Sequence, residues 1–501
     1  MVTYIDLTLI AVALTLLLWY LFSKPKDYPP GPIKWPIVGN MFQMKVDGYT
    51  HRAMSKWHKK YGEVVGLFTG SSPVVLISGL DAIREALTRD DFSGRQGNSI
   101  LKIMNDGERL GIVNTDGEVW KAQRRFTLHR LRDFGFGKNT LESIAHEEIR
   151  AVFNDIDRAS GGAEKGYSNP VCFHDILGGT SINILWHIIS GKRYDHDDPE
   201  FKYLTTSVNK FFQVSEPSGG ILIAFPGLVK IFPSLARTKE LRATCEPLFK
   251  FLEDMIAEHK KTIDYDNPRD FTDVYLVEIE KQKGNPNSSF HEKQLREVCA
   301  EAFIGGTDTT FANLTFAILF LVLFPDAQKK AQDELDRVVG RERLPSLEDK
   351  PRLPYAEAMV QEILRISSVV ALCVPHAPLT SKDAISFRGY RIPKGTRVLF
   401  NFYDLHHDPN YWDDPLSFKP ERFLDGNENL IRHDPLLPFS AGKRVCPGET
   451  LARNNIFLIV TAILQKYTLS TPEGRPKPTT DPTPSFVLCA KRFETKVQLR
   501  S

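Results

Sequence analysis

Phe439-Ser-Ala-Gly-Lys-Arg-Val-Cys-Pro-Gly448 is a ten-residue stretch that holds one cysteine between two glycines. An apolar helical pattern runs from Glu449 to about Lys466, so Cys446 should lie just before a helix N-terminus. Backbone N–H groups and the helix dipole at such a position favour a thiolate. Gly442 can let the backbone pass close to a large flat group, and Arg444 offers a planar cationic fork to a carboxylate. The stretch therefore has the residues of a functional thiolate site.

The same stretch fits the pattern Phe-x-x-Gly-x-Arg-x-Cys-x-Gly, which specifies five positions in ten. A buried free thiol in a turn is the usual explanation of a lone cysteine, but it leaves the other four positions unexplained. The pattern resembles the haem-ligand loop of the cytochrome P-450 superfamily, the haem-thiolate monooxygenases. The resemblance implies haem b as cofactor, with Cys446 as the axial ligand of the iron and Phe439, Gly442 and Arg444 beside it. It also implies a mainly α fold with small β-sheets (α+β), in which a long central helix crosses the haem.

The composition of the chain argues against several other classes of protein. Formal net charge is only +2, so there is no global signature of nucleic-acid binding and no nucleic-acid partner is expected. The six cysteines are scattered without a Cys-x-x-Cys pair, which argues against a disulfide framework and a zinc site and fits a reducing compartment. The chain has no flavin or nicotinamide fingerprint, so electrons must come from another protein.

Residues 1–24 are predicted to form a membrane anchor. Leu7–Phe22 is continuous apolar sequence that becomes long enough to cross a bilayer once its flanks are included, and Lys24 and Lys26 follow it. A cleaved signal peptide is the alternative, but a basic start and a small-x-small cleavage site are lacking. The positive-inside rule places the body of the protein in the cytosol, and the expected membrane is that of the endoplasmic reticulum.

The rest of the chain is predicted to form one large domain behind a hinge. Residues 25–40 are rich in proline and predict a stiff hinge after the anchor. Glu63–Phe68 and Pro73–Ser78 are apolar, β-branched runs that predict a hairpin. Since no internal repeat or second boundary is visible, residues 41–501 are predicted to be one haem-thiolate monooxygenase domain.

Trp120 and Arg124 lie four residues apart on a helical stretch and therefore share one face. A solvated basic helix with one buried tryptophan would explain these residues equally well. The superfamily has a Trp-x-x-x-Arg helix that meets a haem propionate, and the resemblance gives both residues that role. It likewise implies that Arg95 and His376 bind the haem, although a satisfied surface histidine is the alternative for His376.

A helix about 50 Å long is predicted from the capping-box sequence Ser289–Glu292 to position 324. Its middle, Gly305-Gly-Thr-Asp-Thr-Thr310, is rich in poor helix formers, and such local rule-breaking in a long buried helix indicates function. A glycine packing contact between helices is the alternative. The motif resembles the oxygen-activating helix of the superfamily. The resemblance implies that Gly306 makes room for dioxygen and that Asp308 and Thr309 are catalytic residues that deliver protons.

Glu362 and Arg365 are three residues apart on another predicted helix, where an exposed ion pair would be the ordinary explanation. Arg422 follows in a proline-rich loop. The superfamily joins such a Glu and Arg to the Arg of the later loop and so braces the cysteine loop, which assigns structural support to all three residues. The His-His-Asp run at 406–408 has no further ligands at metal-binding spacing, so the one predicted metal ligand is Cys446.

The resemblance covers essentially the whole chain and is nearest to microsomal members, insect ones in particular, that are related to the animal drug-metabolising group. It implies a monooxygenase that inserts one atom of O2 into a lipophilic small molecule (hormone, lipid/terpenoid or xenobiotic) by hydroxylation or epoxidation. The implied electron donor is NADPH–cytochrome reductase, with a cytochrome b-type protein as a second donor. A haem-thiolate isomerase or dehydratase, which needs no reductase, and a non-catalytic haem-binding protein are the alternatives.

Three further features are predicted from their positions in the chain. Gly219–Pro233 matches the superfamily's loop between the two helices that roof the substrate pocket, a loop that often dips into the membrane, and a buried connector is the alternative. The docking face for the reductase is predicted to be basic and to include Lys121, Arg125, Arg130, Arg132 and Lys443. The substrate pocket is predicted to be apolar and to be lined by Ile103, Val113, Phe303, Val370 and Phe486.

Overall fold

The structure is a computed structural model, and it describes residues 4–45, 48–95, 105–134, 141–214 and 238–500. The predicted pocket-roof segment Gly219–Pro233 and the predicted pocket residue Ile103 lie outside the described residues. The α-helices in the described part are α1 Tyr4–Phe22, α2 Thr50–Tyr61, α3 Leu80–Thr88, α4 Gly117–Asp133, α5 Glu142–Ser160, α6 Thr180–Ser190, α7 Pro199–Val214, α8 Thr238–Thr262, α9 Phe271–Lys281, α10 Glu292–Leu323, α11 Pro325–Val338, α12 Pro354–Ser367, α13 Phe402–His406 and α14 Glu449–Lys466.

Short strands complete the mainly α fold with small β-sheets that the sequence predicted. The strands are β1 Val64–Thr69, β2 Ser72–Ile77, β3 Ala384–Phe387, β4 Tyr390–Pro393, β5 Arg397–Phe400, β6 Tyr467–Ser470, β7 Pro482–Thr483, β8 Cys489–Ala490 and β9 Lys496–Leu499. The predicted hairpin is present, because β1 and β2 pair antiparallel with Thr69 opposite Ser72, and β5 then joins β2 in parallel. The remaining pairs are β3 with β4, β6 with β9, and β7 with β8, all antiparallel.

The long helix α10 is the centre of the helical core. Its 32 residues extend about 48 Å, and it packs against α6, α8, α12 and α14. By length and composition α10 could cross a membrane, but it is largely buried inside the protein. A helix that is apolar around most of its circumference is the pattern of a core helix. The fold therefore places the Gly305–Thr310 motif in the middle of the protein.

The start of α10 differs from the predicted capping box. His291 is the N-cap, and its Nδ1 accepts a hydrogen bond from the Gln294 backbone N–H at 3.2 Å. Ser289 Oγ instead accepts a hydrogen bond at 2.9 Å from Nε2 of Gln123, a residue of α4. The prediction of Ser289 as the cap was wrong, because a local pattern does not show that a side chain from a distant segment will bond to the serine.

The three-stranded sheet β1-β2-β5 has two apolar faces, because successive side chains of a strand point to opposite sides. Val75, Val398 and Phe400 lie on the face that meets α3 residues such as Ile83. The opposite face belongs to a separate core group that we call the Leu399 cluster. Its members are Met44, Met54, Val65, Leu67, Val74, Leu76, Ala371, Leu372, Leu399 and Leu488.

The segment that follows α1 is attached to this sheet. Tyr28 is buried, and its hydroxyl donates a hydrogen bond to the Val74 carbonyl at 2.8 Å. Gly66 N–H donates to the Pro30 carbonyl at 2.7 Å, and a Cβ at Gly31 would lie 2.0 Å from the Gly66 carbonyl oxygen. The residues of the predicted hinge 25–40 are therefore held against the sheet from Tyr28 onward. Bending between the anchor and the sheet is expected only at the residues before Tyr28.

Candidate active site

The cysteine loop lies where the sequence placed it, directly before α14. Gly448 is the residue before the first turn of that helix, and Cys446 N–H donates to the Phe439 carbonyl at 2.9 Å. Gly442 has a φ of +68°, and a Cβ there would lie 2.0 Å from the Leu87 carbonyl oxygen. The packing of the loop against α3 therefore explains why residue 442 is a glycine, in addition to the predicted approach of a flat group.

Cys446 is a free thiol and is half-buried. Burial raises the pKa of Cys446 above its ordinary value, and the Gly448 N–H and the nearby Arg124 oppose that rise without cancelling it. The helix N-terminus alone therefore does not produce a thiolate. A bound metal ion would supply the missing positive charge, since a coordinating thiol is deprotonated outright.

Arg444 lies in the cysteine loop, and each of its three side-chain nitrogens donates one hydrogen bond to a backbone carbonyl. Nε donates to the Ser93 carbonyl at 2.9 Å, Nη1 to the Ile112 carbonyl at 3.0 Å, and Nη2 to the Thr115 carbonyl at 2.7 Å. The guanidinium carbon also lies 3.9 Å from the centroid of the Trp120 ring, within the range of a cation–π contact. Arg444 therefore joins the cysteine loop to the segment 111–115 and to α4.

Two further arginines approach the same loop. Arg95 Nε donates to the Val113 carbonyl at 3.0 Å and Nη1 to the Pro375 carbonyl at 2.9 Å, while Arg124 Nη2 donates to the Val445 carbonyl at 2.6 Å. Burial lowers the pKa of Arg95 to about 10 and that of Arg444 to about 8, with nearby arginines adding to the effect on Arg444. Such depressed values mean that the cluster has an excess of buried positive charge.

Two ring nitrogens at this cluster have no partner among the described residues. Trp120 Nε1 and His376 Nε2 are buried and make no hydrogen bond within that part of the chain. His376 Nδ1 lies 2.7 Å from the Phe92 carbonyl and therefore carries the proton in the neutral ring. Burial and Arg95 lower the pKa of His376 well below its ordinary value, but a carboxylate beside the ring would favour the protonated form, in which Nε2 donates. The cluster thus fits a group with carboxylates, such as the two propionates of haem b.

The middle of α10 presents two different sides. Thr309 Oγ1 donates to the Gly305 carbonyl at 2.7 Å, and a Cβ at Gly305 would meet no atom within 4 Å. A Cβ at Gly306 would lie 2.7 Å from Leu185 Cδ2 of α6. The packing contact that the sequence left open as an alternative therefore exists at Gly306, and the open space lies at Gly305. Sequence reasoning did not single out Gly305, although it lies one turn before Thr309 on the same helical face.

Asp308 is a buried carboxyl group with an unusual proton affinity. Its Oδ1 makes no hydrogen bond, and burial raises the pKa of Asp308 to about 7. A group with that pKa both holds and releases a proton near neutral pH, which is the property of an effective general acid or base.

Glu301 is a site residue that the sequence analysis missed. Glu301 lies about two turns before Thr309 on α10. Its carboxylate accepts hydrogen bonds from the backbone N–H groups of Ile112 at 2.5 Å and Val113 at 3.0 Å. A Cβ at Gly111 would lie 2.3 Å from that carboxylate, so glycine is required there. The only sequence signal was the spacing of Gln294 and Glu301, which share one helical face.

Glu362 lies between two arginines in the interior. Arg365 Nε donates to Glu362 Oε2 at 2.7 Å, and Arg422 Nε donates to Glu362 Oε1 at 3.1 Å. Arg365 Nη1 also donates to the His406 carbonyl, and His406 Nε2 accepts from Leu437 N–H at 3.0 Å. The network therefore reaches the residues just before the cysteine loop, and His406 is engaged in it as a hydrogen-bond acceptor.

The predicted basic docking residues lie around the outside of the same region. Lys121, Arg125, Arg132 and Lys443 are exposed, and Arg130 is half-buried. Lys121 and Lys443 form surface ion pairs with acidic residues. α4 also carries Arg124, which bonds the loop, and Lys121 and Arg125 lie within one turn of it on the same helix.

The fold and the site together fit a haem-thiolate enzyme, with a half-buried cysteine before a helix, a cluster of arginines beside it and a long helix with open space at Gly305. The chain belongs to the cytochrome P450 family, whose sequence model matches residues 29–497. Members of this family bind haem b, and the chain is a haem-dependent monooxygenase, an oxidoreductase. The predicted family, enzyme class and cofactor are confirmed.

Individual relatives are similar over nearly their whole length. The chain is 37% identical to cytochrome P450 2B4 of Oryctolagus cuniculus over 472 residues, 93% of each chain. It is 35% identical to the farnesoate epoxidase of Bombyx mori over 486 residues, 95% of this chain and 96% of that one. It is also 35% identical to cytochrome P450 2D3 of Rattus norvegicus over 476 residues, 93% of this chain and 92% of that one.

Proposed function

We propose that this monooxygenase is anchored in the endoplasmic reticulum membrane and oxidises a lipophilic small molecule with electrons from NADPH–cytochrome reductase. The observation that carries the proposal is the convergence of buried cations and unpaired ring nitrogens on the cysteine loop. Cys446 would bind the haem iron through its sulfur. The haem would lie beside Phe439, Gly442 and the open space at Gly305, next to Gly306, and its propionates would bind Arg95, Trp120, Arg124, His376 and Arg444.

When bound, haem b supplies the activation of dioxygen and the oxidising chemistry. The residues of α10 supply positions and protons. Thr309 lies beside the open space at Gly305, so its hydroxyl can bond a small ligand there. Asp308, one residue earlier, holds a proton with a pKa of about 7 and would replace protons that the Thr309 hydroxyl passes on. Glu362, Arg365 and Arg422 would keep the cysteine loop in place.

The substrate is proposed to be an apolar molecule that the enzyme hydroxylates or epoxidises. Phe303 is buried and Val113, Val370 and Phe486 are half-buried, and Phe486 stacks on Phe212 with ring centroids 6.0 Å apart. Such aromatic and aliphatic walls are typical of pockets for lipophilic ligands. One relative is named for the epoxidation of farnesoate, which makes a terpenoid one member of the class.

Electrons are proposed to enter from the side of the cysteine loop. Lys121, Arg125, Arg132 and Lys443 would steer an acidic reductase toward it, with a cytochrome b-type protein as a second donor for the same surface.

Removal of residues 1–24 is expected to release the protein from membranes while it keeps its haem. The 19 residues of α1 extend about 28 Å, close to the thickness of a bilayer core, and their described apolar side chains are exposed. Co-sedimentation with liposomes measures the effect, with the full-length chain as the reference. Equal binding of the truncated and full-length chains would contradict the anchor.

Replacement of Thr309 by alanine is expected to uncouple the reaction. Loss of the hydroxyl should impair proton delivery, so NADPH consumption continues while the ratio of hydrogen peroxide to product rises about tenfold or more, within the usual contribution of a positioned proton donor. The assay uses purified reductase and measures NADPH, peroxide and product together. An isomerase or a haem carrier would consume no NADPH in either form.

Thr307→Ala is the matched control for this experiment. Thr307 Oγ1 donates to the Phe303 carbonyl at 2.6 Å, the same type of bond within the helix, but the side chain is buried in the core. A ratio that is unchanged in Thr309→Ala, or that rises equally in Thr307→Ala, would remove Thr309 from the proposed role.

A further inference from the structure

Arg397 differs from the other buried arginines of this protein. Its side chain is nine-tenths or more buried, yet within the described part of the chain its guanidinium makes no hydrogen bond and no ion pair, and its Nε is buried without a partner. Arg365, equally buried, makes five hydrogen bonds that include two to Glu362. Arg444 makes three. A buried cation without partners costs stability, so its retention calls for a ligand.

The strand register shows which side of the sheet Arg397 occupies. It is the first residue of β5 and lies opposite Val74 of β2 in parallel pairing. Its side chain alternates with Val398 and shares the face of Leu399, so it lies on the side of the Leu399 cluster. That cluster is otherwise apolar, and no carboxylate offsets the burial that lowers the pKa of Arg397 to about 10.

This face is connected to the predicted substrate pocket through two short segments. Leu488, a member of the Leu399 cluster, donates its N–H to the Val369 carbonyl at 2.8 Å. Phe486, two residues before it, stacks on Phe212, and Cys489, one residue after it, lies 3.3 Å from Thr315 of α10. Residues 369–372 and 486–489 therefore run from the Arg397 side of the sheet to the pocket-lining side of the core.

Arg397 is also separate from the cations assigned to the haem propionates. The His376 ring lies 5.0 Å from the Phe400 ring and is therefore on the Val398–Phe400 side of β5, whereas the Arg397 side chain lies on the opposite side with Leu399. The propionates thus have their own partners, and the guanidinium of Arg397 is left for a different anion.

We propose that Arg397 binds the carboxylate of a lipophilic carboxylic acid, which enters along the Leu399 cluster and extends its apolar chain toward Phe486 and α10. This inference rests on the proposed function, because it names the substrate class of that pocket. A planar guanidinium pairs with a carboxylate through two parallel N–H···O bonds, and the surrounding aliphatic side chains suit an alkyl or terpenoid body.

The experiment compares one acid with its neutral ester on the purified full-length haem protein. Equilibrium dialysis at pH 7.4 measures the affinities of dodecanoic acid and methyl dodecanoate for the wild type and for Arg397→Met. The wild type should prefer the acid, and Arg397→Met should lose roughly ten- to a hundred-fold in affinity for the acid while its affinity for the ester stays the same, as expected for the loss of a charge-assisted pair. Arg397→Lys should fall between the two, because it keeps the charge without the fork.

Thermal unfolding without ligand separates this role from a structural one. Arg397→Met should melt at the wild-type temperature or higher, because an unpaired buried charge is removed, and the acid should no longer raise its melting temperature. Arg391→Met, at an exposed position of the neighbouring β4, is the matched surface control and should behave as the wild type. Acetate, which has the charge but no apolar body, should not displace dodecanoic acid at equal concentration.

Two results would overturn the assignment of Arg397. One is an unchanged ratio of acid to ester affinity in Arg397→Met, and the other is displacement of the acid by acetate as effectively as by unlabelled acid. Failure of the proposed oxygenase activity is recognised separately, as an absence of NADPH-dependent oxidation of either ligand by the wild type. The affinity ratios do not depend on turnover, so the two failures are distinct.

Discussion

Cys446→Ser should lose the thiolate-type band in the carbon monoxide difference spectrum of the reduced protein. The hydroxyl of serine is a poor ligand for iron compared with a thiolate, and it would not donate the electron density on which the band depends. The substitution changes one atom and little volume, so the folded protein should persist, as circular dichroism would show. A variant that kept the normal band would refute Cys446 as the ligand.

Cys373→Ser is the matched control for this prediction. Cys373 is buried, and its Sγ lies 3.9 Å from Ser440 Oγ in the same loop. Burial raises the pKa of Cys373, as it does for Cys446, and Arg95 opposes that rise. Cys373 is therefore a free thiol in nearly the same environment. Retention of the band in Cys373→Ser, together with its loss in Cys446→Ser, would assign Cys446 as the iron ligand.

Glu362→Ala should destabilise the protein by about 3–5 kcal/mol, the usual cost of removing one partner of a buried ion pair. The side chains of Glu362 and Arg365 are both fully buried, and Arg422 shares the same carboxylate, so the substitution leaves two cations in the interior without their anion. The measurement is the shift in the urea concentration at half-unfolding. Haem should also be lost more readily, because the network extends to His406 and Leu437.

Glu280→Ala is the control for that experiment. Glu280 and Lys283 have the same spacing of three residues as Glu362 and Arg365, but both side chains are exposed. Removal of such a pair should cost about 1 kcal/mol or less. If the two variants unfolded at the same urea concentration, the internal network would not have the strength that its geometry indicates.

The chemistry of this protein was visible in the sequence because it depends on short patterns with fixed spacing. The pattern of the cysteine loop predicted an iron ligand just before a helix, and α14 begins at Glu449 as expected. The hairpin of β1 and β2 was predicted from two apolar, β-branched runs, and the long helix was predicted from its composition. Each of these features is set by residues that are neighbours in the chain.

Features that depend on contacts between distant segments were not readable. Gly306 meets Leu185 of α6, and no pattern in the motif reveals which residue will lie opposite it. Glu301 caps backbone groups nearly 190 positions earlier in the chain. Arg397 looked like an ordinary strand residue, and its isolation became apparent only when the register placed it on the face of the Leu399 cluster.

The pKa of the cysteine shows the same limit in electrostatic terms. The helix N-terminus before Glu449 was expected to favour a thiolate, but burial acts in the opposite direction and dominates. A sequence shows which groups are near in the chain, whereas the degree of burial depends on the complete fold. The expected thiolate thus depends on the bound iron as well as on the loop.

The source of the oxygen atom in the product tests the central claim most directly. The purified full-length protein, its reductase and NADPH would be supplied with isotopically heavy dioxygen and a lipophilic ligand that perturbs the haem spectrum. The mass of the product would then be measured by mass spectrometry. For a reductase-dependent monooxygenase we expect one heavy oxygen atom in each product molecule and the consumption of one NADPH for each. A product without heavy oxygen, formed whether or not NADPH is present, would contradict the monooxygenase reaction.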